Sequence, residues 1–278
     1  MKYKPLHSMF KVGLIQTNSS AEWIANVEVV MSQIKRAAKE SVDFVMLPET
    51  VHMMEPNLKR LTKKVYSEDK TPAIHAFKLA ALKYNIWILV GSIVVRSKRG
   101  PKFVNRSLLI DSEGFIRARY DKAHLFDVKL LSGENYSESK IYKPGNKLVT
   151  ATTPWGLLGM SICYDLRFPH LYRALAIRGS SFLCVPSAFT KTTGQSHWHV
   201  LLRARAIENG CFIFAPAQCG IHDGGRETYG HSLVVNPWGN IIAEADNKPS
   251  LLIADINTAE VEQAREQIPS LNQNYSFI

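Results

Sequence analysis

The strongest constraint on the fold is an alternation of short apolar runs with amphipathic stretches in the second half of the chain. The apolar run Leu157–Ile162 precedes a predicted helix over Phe168–Arg178, and a second apolar run, Phe182–Val185, follows that helix. The order repeats with a helix predicted over Ser196–Glu208 and a strand over Cys211–Ala215. Continuous apolar runs separated by helices are typical of strands in a sheet that helices cover. The pattern predicts an α/β fold.

The first half of the chain shows the same alternation. A strand-like run, Phe10–Ile15, precedes apolar residues at helical spacing from Trp23 to Ala38, and a helix predicted over Pro72–Tyr84 precedes another strand, Ile86–Gly91. The segment 124–147 lacks either periodicity and is predicted to be a long irregular loop. Three short strands and a final helix, predicted over Thr258–Gln267, end the chain.

Length and composition are those of an ordinary globular enzyme. The chain has 278 residues, of which 46% are hydrophobic, and no linker interrupts it, so we expect one domain over residues 1–278. No stretch of about eighteen apolar residues suggests a membrane span, and the N-terminus lacks the apolar region of a secretory signal. The four cysteines show no CxxC spacing, which favours a reducing, cytoplasmic location without disulfides.

The formal net charge of +10 raises the question of nucleic-acid binding. The basic residues are spread along the chain in short clusters, such as 59–60, 63–64 and 96–99, and no known binding motif accompanies them. We therefore expect no specific nucleic-acid partner. A basic surface would instead steer small polycarboxylate substrates toward a site.

Cys163 is the first candidate for chemistry, because it comes directly after the apolar run Leu157–Ile162. Open α/β sheets place their ligands at the carboxyl ends of strands, and a thiol at a strand-to-helix turn is a candidate nucleophile. The alternative is a structural role, since free cysteine is among the most buried residue types.

Two other predicted strands end in groups that complement a thiol. Glu49 follows the apolar run Phe44–Leu47, and Lys122 follows the alternating stretch from Arg117. A carboxylate can take the thiol proton and later protonate a departing amine. An ammonium can stabilise a thiolate and the oxyanion of a tetrahedral intermediate. The three groups together indicate acyl transfer from an amide or nitrile carbon.

Histidine offers a second way to activate Cys163, as in cysteine proteases. His124, His170 and His231 are available for that role. For metal binding, the nine histidines are scattered, and the closest pair, His197 and His199, does not share a helical face. We interpret the histidines as isolated and expect no metal.

Three segments resemble the nitrilase, or carbon–nitrogen hydrolase, superfamily. They are LPET at 47–50, YDKAHLF at 120–126 and SICYDLRFP at 161–169, and they occur in the order found in that family. The resemblance runs from about Val12 to Pro269 and implies Glu49 as general base, Lys122 as oxyanion stabiliser and Cys163 as nucleophile. It also implies a second glutamate, Glu138, that orients the lysine and the substrate amide.

The resemblance implies a fold and an assembly as well. Members of the family have a four-layer αββα sandwich, use no cofactor and commonly form homodimers or larger homo-oligomers. We expect this fold, no cofactor and a homo-oligomer here. We also expect the backbone N–H of Tyr164 to assist Lys122 in stabilising the oxyanion.

The substrate class follows from finer resemblances. The CYDxRF pattern is similar to small amidases of dicarboxylic monoamides, and the run from Ala217 to His222, followed by Arg226 and Tyr229–Ser232, most resembles the branch that hydrolyses deaminated glutathione. The expected activity is hydrolysis of this amide to the free acid and ammonia through a cysteine thioester. One departure is the glycine-rich loop 222–226, which could shape a different pocket.

Other functions stay open at this point. They are an ω-amidase acting on α-ketoglutaramate or α-ketosuccinamate, another carbon–nitrogen hydrolase such as an N-carbamoyl hydrolase, a scaffold that retains the fold without turnover, and a nucleic-acid binder.

Contacts to the substrate are inferred from position alone. A carboxylate in the substrate favours a bidentate cation, and Arg167, next to Phe168 at the start of the helix after Cys163, is the first choice; an ion pair with Asp165 is the alternative. Ser187, Phe189 and Thr193 follow the next strand at the same sheet edge and are further candidates.

Overall fold

The structure is a computed structural model that describes residues 6–98, 100–130 and 133–273. Within those ranges no helix is both long and apolar enough to cross a membrane.

Helices and strands alternate along most of the chain, as the sequence predicts. The helices are α1 (Trp23–Lys39), α2 (Leu58–Lys64), α3 (Pro72–Tyr84), α4 (Pro169–Ile177), α5 (Lys191–Asn209) and α6 (Ala259–Gln267). The strands are β1 (Met9–Gln16), β2 (Phe44–Met46), β3 (Trp87–Arg96), β4 (Phe103–Ile110), β5 (Ile116–Asp121), β6 (Asp127–Lys129), β7 (Asn135–Ser137), β8 (Thr150–Thr153), β9 (Gly156–Met160), β10 (Ser180–Cys184), β11 (Phe212–Ala215), β12 (Cys219–Ile221), β13 (Glu227–Tyr229), β14 (Leu233–Val235), β15 (Ile241–Glu244) and β16 (Ser250–Asn257).

Most of these strands form two six-stranded sheets. The first has the strand order β16-β1-β2-β3-β4-β5, and the second has the order β15-β14-β11-β10-β9-β8. In the first sheet β1, β2 and β3 run parallel to one another. In the second sheet β9, β10 and β11 do the same. Parallel strands place their carboxyl ends at one edge, so residues that follow β2 and β9 lie at such edges.

The sheets pack face to face, and helices cover both outer surfaces. Side chains of the short strand β2 show the arrangement: Phe44 and Met46 point into the core between the sheets, whereas Val45 packs in a second core with α1 and α3. On the second sheet, α4 and α5 pack against β10 and β11. Phe10 of the first sheet stacks on Trp155 at the turn before β9, with ring centroids 4.7 Å apart. The layer order is therefore α, β, β, α.

Most predicted bounds differ from the structure by a residue or two. The larger differences are at β3, which continues to Arg96 beyond the predicted Gly91, at α5 and in the segment 124–147. Helix α5 begins at Lys191, before the predicted Ser196, because the side chain of Thr190 accepts a hydrogen bond from the Thr193 N–H and caps the helix. The segment 124–147 is not wholly irregular, since β6 and β7 form an antiparallel hairpin inside it. Polar strands of three residues carry too little periodicity to be recognised from sequence.

Candidate active site

Four of the predicted residues meet where strands of the two sheets end. Glu49 follows β2, Lys122 follows β5, and Cys163 lies three residues beyond the end of β9. Glu138 begins a short 3₁₀ turn directly after β7. An open cavity with about 250 Å³ of empty space, part of it open to solvent, lies here. The residues that line it are Lys122, Phe126, Glu138, Cys163, Tyr164, Ala188, Phe189, Thr190, Thr193 and Arg226.

The carboxylate of Glu49 is buried and held by three donors. Oε1 accepts hydrogen bonds from Lys122 Nζ and from Asn105 Nδ2, each at 2.9 Å, and Oε2 accepts one from the Ala188 N–H at 2.9 Å. The Glu49 backbone carbonyl accepts a bond from Gln218 Nε2 at 3.0 Å. These contacts come from four separate parts of the chain and fix the carboxylate in one orientation.

Gly91 allows β3 to approach the turn that carries Glu49. A Cβ at position 91 would lie 1.9 Å from the Leu47 carbonyl oxygen and 2.5 Å from that of Pro48. The pairing of β3 with β4 is interrupted at this point, as in a β-bulge, and the Ser92 N–H donates to the Pro48 carbonyl at 3.2 Å. Only glycine fits this approach, so position 91 contributes to the placement of Glu49.

Lys122 lies between two carboxylates with its side chain 1% exposed. Its Nζ is 2.9 Å from Glu49 Oε1 and 2.9 Å from Glu138 Oε2. Glu138 Oε2 also accepts a hydrogen bond from the Phe126 N–H at 2.9 Å. With Arg226, the cavity therefore combines two cationic and two anionic side chains, which balance one another.

The pair of Glu49 and Lys122 stays ionised despite its burial. Burial alone would raise the pKa of Glu49, but the Lys122 ammonium, Arg226 and the Cys163 thiol together outweigh it, and the pKa lies below its ordinary value. Burial alone would lower the pKa of Lys122, but the carboxylates of Glu138 and Glu49 raise that pKa well above its usual range. At neutral pH the lysine is a fixed positive charge and Glu49 is a carboxylate that can accept a proton.

Cys163 occupies a strained turn that presents its thiol to this pair. Its φ of +49° lies in the left-handed region, which non-glycine residues adopt only when their surroundings hold them there. Its N–H donates to the Pro186 carbonyl at 3.0 Å. Burial and then the Glu49 carboxylate raise the pKa of the thiol far above its ordinary value, only partly offset by Lys122. The resting group is a protonated thiol beside the Glu49 carboxylate.

Asp165 stabilises the turn around Cys163. Its Oδ2 accepts from the Ile162 N–H at 2.9 Å and from the Tyr120 hydroxyl at 2.7 Å. Its Oδ1 accepts from the backbone N–H of His124 at 3.0 Å. This fully buried carboxylate links the cysteine turn to the residues that flank Lys122.

Arg226 brings a second cation to the cavity. One terminal N–H donates to the Ala188 carbonyl, and the guanidinium lies 5.2 Å from the centre of the Tyr136 ring. Its buried Nε makes no hydrogen bond within the described residues. A buried N–H without a partner is costly, so a ligand that accepts a hydrogen bond would be favoured here.

The predicted substrate-contact residues divide into two groups. Tyr164, Phe189 and Thr193 line the cavity. Three others do not: Ser187 is fully buried and its hydroxyl donates to the Val185 carbonyl, Phe168 stacks on the His124 ring at 3.6 Å, and Arg167 lies over the rings of Tyr164 and Phe189.

Arg167, the first choice for binding a substrate carboxylate, is not among the residues that line the cavity. Its guanidinium lies 5.3 Å from the Phe189 ring centre and its terminal nitrogens lie 3.3 to 3.4 Å from His197 Nδ1. The alternative pairing with Asp165 is also not formed, because Asp165 is occupied by the donors described above. The arginine that lines the cavity beside Lys122 is Arg226, 59 residues further along the chain than Arg167.

Within the described residues, the histidines of the alternative scheme make no hydrogen bond to Cys163. His124, His170 and His231 are not among the cavity-lining residues, and His124 Nδ1 instead contacts Asp165 Oδ1 at 2.7 Å. The interpretation of all histidines as isolated is wrong at His199 and His231, which both contact Glu244. They are brought together by tertiary packing, which their spacing in sequence does not reveal.

Three contributors to the site were not identified from the sequence. They are Asn105, the Ala188 N–H and, as a cavity residue, Arg226. Asn105 is one of three consecutive polar residues in an otherwise apolar strand, and that is a weak signal. A backbone donor has none, and Arg226 lies in a glycine-rich loop whose path depends on the packing around it.

Comparison with known proteins identifies the family. The sequence model of carbon–nitrogen hydrolases matches residues 11–266. The chain is 41% identical over 266 residues to a protein named deaminated glutathione amidase from Yersinia enterocolitica, covering 95% of this chain and 92% of the relative. A human protein of the same name is 35% identical over 273 residues, covering 93% and 80%. The resemblance inferred from the three sequence segments is confirmed.

Solved structures agree with the layer order described above. The NitFhit protein of Caenorhabditis elegans superposes with a TM-score of 0.88 at 34% identity, covering 97% of this chain and 66% of that chain. Nit3 of Saccharomyces cerevisiae, described as a member of branch 10 of the nitrilase superfamily, superposes with a TM-score of 0.86 at 30% identity, covering 97% of both. The predicted αββα fold of the nitrilase type is confirmed.

Proposed function

This chain belongs to the carbon–nitrogen hydrolase family, and we propose that it hydrolyses the linear amide of deaminated glutathione through a thioester on Cys163. The observation that carries the proposal is the contact of Lys122 with both Glu49 and Glu138 beside the Cys163 thiol. Relatives named for this activity, at 35% to 41% identity, support the choice of substrate.

In the first step Glu49 takes the proton of the Cys163 thiol as sulfur attacks the amide carbon. The carbonyl π electrons move to oxygen, and the Lys122 ammonium with the Tyr164 N–H stabilises the oxyanion. A protonated resting thiol makes this coupled transfer necessary, because little thiolate exists at neutral pH. Glu138 holds the ammonium and accepts a hydrogen bond from the amide nitrogen.

In the second half of the cycle the oxyanion collapses and the C–N bond breaks. Glu49 gives its proton to the departing nitrogen, leaving an acyl thioester on Cys163. Glu49 then takes a proton from water, the resulting hydroxide attacks the thioester, and the C–S bond breaks. The sulfur recovers its proton from Glu49, so that amide and water become acid and amine.

The leaving group differs from the one expected from the sequence. In deaminated glutathione the nitrogen of the linear amide belongs to cysteinylglycine, so hydrolysis releases this dipeptide. Ammonia would be released only from a primary amide such as α-ketoglutaramate. Both substrates give the same acid, 2-oxoglutarate, and the amine product distinguishes them.

Arg226 is our choice for recognition of the 2-oxo acid carboxylate. It lines the cavity, its Nε lacks a partner, and a guanidinium binds a carboxylate through paired N–H groups. Phe189 and Thr193 form the wall behind it. A substrate carboxylate at this position would satisfy the buried Nε–H.

The test compares the two amides under identical conditions. We measure kcat/KM from 2-oxoglutarate release with deaminated glutathione and with α-ketoglutaramate, using the wild-type protein and Cys163→Ala. A cysteine-dependent preference for deaminated glutathione supports the proposal. A preference for α-ketoglutaramate would assign the chain to the ω-amidases, and no turnover of either would overturn the substrate assignment.

Arg226→Gln, with Arg167→Gln as the matched control, tests recognition. Loss of a charge-assisted bond of about 1.5–3 kcal/mol would raise KM by roughly 10- to 100-fold for Arg226→Gln. Arg167→Gln should change KM little, since that arginine is not among the residues that line the cavity. The reverse result would restore Arg167 as the substrate ligand.

We also infer a single domain over residues 1–278, a homodimer or larger homo-oligomer, and a reducing, cytoplasmic location. The oligomer is inferred from family membership, and Val200 and Ile207, seven residues apart on α5, are apolar side chains that are 67% and 52% exposed and that an interface on this helix would cover. The four cysteines are free, which suits a reducing compartment. Light scattering of the wild type and of Val200→Glu tests the assembly, and a monomeric wild type would contradict it.

A further inference from the structure

A group of metal-binding side chains lies outside the cavity. His199 on α5, His231 before β14 and Glu244 on β15 converge, although 45 residues separate the first from the last. His199 Nε2 and His231 Nδ1 each lie 2.9 Å from Glu244 Oε1, and the three ligand atoms lie within 4.8 Å of one another. None of these residues lines the cavity of the proposed reaction.

The surrounding residues hold the two imidazole rings in place. Tyr229 stacks on His231 with ring centroids 4.4 Å apart, and its ring lies edge-on to His199 at 6.0 Å. His231 has a φ of +54°, its N–H donates to the Asp246 carbonyl, and its carbonyl accepts from Trp198 Nε1. A non-glycine residue in the left-handed region, held from both sides, is a feature found at functional positions.

The donor set suits a divalent transition-metal ion, of which zinc is our choice. Two imidazoles and a carboxylate are ligands of Zn²⁺, which binds such nitrogens and oxygens at about 2.0–2.2 Å. Ligand atoms of a tetrahedral zinc are then about 3.3 Å apart, so small movements of the side chains would admit the ion. The side chains are 28% to 34% exposed, which leaves a path to solvent and room for a water ligand.

We propose that His199, His231 and Glu244 form a Zn²⁺ site that links α5 to β15 behind the wall of the cavity. The site is connected to that wall, because Tyr229 packs on Gly194 of α5 and its N–H donates to the carbonyl of Phe189. Zinc here therefore braces the helix that supplies Thr193 and takes no part in the thioester chemistry.

The experiment is calorimetric titration of the chelator-treated full-length protein with ZnCl₂. Cys163→Ala is used as the background, since it removes the thiol of the cavity as a competing ligand. We expect one equivalent to bind with saturation, and His199→Ala and His231→Ala each to weaken binding at least about tenfold, because each removes one of three ligands. His75→Ala is the matched control, since His75 is an exposed histidine on α3.

Glu244→Gln provides a variant that preserves side-chain size if a histidine variant fails to fold. Zinc should raise the Tm of the background protein and of His75→Ala, and should leave that of Glu244→Gln unchanged. The proposal is overturned if the background protein binds no stoichiometric zinc. It is also overturned if His199→Ala, His231→Ala and Glu244→Gln bind zinc as tightly as His75→Ala.

Discussion

Lys122 Nζ lies 2.9 Å from Glu49 Oε1, and both side chains are at most 3% exposed. A buried ion pair contributes little net stability compared with apolar residues, because each charge loses its hydration. Its value here is chemical, since it keeps a carboxylate ionised next to a protonated thiol. The contact also brings together residues 73 positions apart in the chain.

Removal of the lysine should be costly for both folding and catalysis. Lys122→Met leaves Glu49 and Glu138 without their cation, and we expect a loss of about 3–5 kcal/mol in the free energy of unfolding, because one buried charge loses its partner. Turnover should fall by roughly 10³-fold through loss of the oxyanion contact. Urea unfolding and kcat measure the two effects, and the exposed Lys129→Met is the control. A Lys122→Met enzyme with near wild-type kcat would refute the role.

Replacement of Glu49 should make the Cys163 thiol ionise more readily and should abolish turnover. The Glu49 carboxylate contributes to the raised pKa of Cys163, so Glu49→Gln should lower that pKa while Lys122 continues to favour the thiolate. Alkylation of Cys163 by iodoacetamide should then begin at a lower pH than in the wild type, although turnover is lost with the base. The exposed Glu28→Gln is the control. Glu49 would not be the base if Glu49→Gln kept most of the wild-type turnover.

The acid limb of the kcat/KM profile should lie at low pH. A carboxyl whose pKa is lowered in the folded protein stays ionised above that pKa, and the activity that needs its base form is lost only as the pH falls through it. The raised pKa of Lys122 keeps its charge until the pH rises well above the usual lysine range. Activity should therefore be retained from neutral pH down to below the ordinary Glu pKa, as far as the fold persists. An acid limb near neutrality would instead indicate a histidine base.

Much of the site could be predicted because its residues follow strands. Glu49, Lys122 and Cys163 each come after an apolar or alternating run, and the sheet brings such ends together whatever the intervening loops do. Arg226, by contrast, lies in a loop. Packing sets its position beside Tyr136, and the loop sequence has no periodicity from which that position could be predicted. The start of α5 at Lys191 was missed because the cap, Thr190, precedes a polar first turn.

Asp165→Asn should impair the cysteine turn. The wild-type carboxylate accepts hydrogen bonds at both oxygens. In the amide, one oxygen is replaced by an NH₂ group, which is a donor. That group would face other donors on either side, the Ile162 N–H and Tyr120 hydroxyl or the His124 N–H. We expect a loss of about 1–3 kcal/mol in the free energy of unfolding and a lower kcat. Tyr120→Phe, which removes one donor only, should have the smaller effect on kcat. Equal kcat values for Asp165→Asn and the wild type would contradict this role.

Gly91→Ala should displace the turn that carries Glu49. The added Cβ meets two backbone carbonyl oxygens that cannot rotate away, so β3 must shift and both stability and kcat should fall. Gly100→Ala is the comparison, because its added carbon meets nothing within 4 Å and only its φ of +82° is strained. Thermal unfolding and kcat of the two variants measure the difference. A Gly91→Ala enzyme with an unchanged kcat would show that this approach does not position Glu49.

The role of Cys163 as nucleophile is tested by the rate of cysteinylglycine release from deaminated glutathione by the wild type, Cys163→Ala and Cys219→Ala. Cys219 is also buried and free but does not line the cavity, so it is the matched control. We expect Cys163→Ala to release cysteinylglycine no faster than the uncatalysed reaction, because it removes the nucleophile. We expect Cys219→Ala to release it at a rate within about threefold of wild type. Substantial cysteinylglycine release by Cys163→Ala would contradict this role.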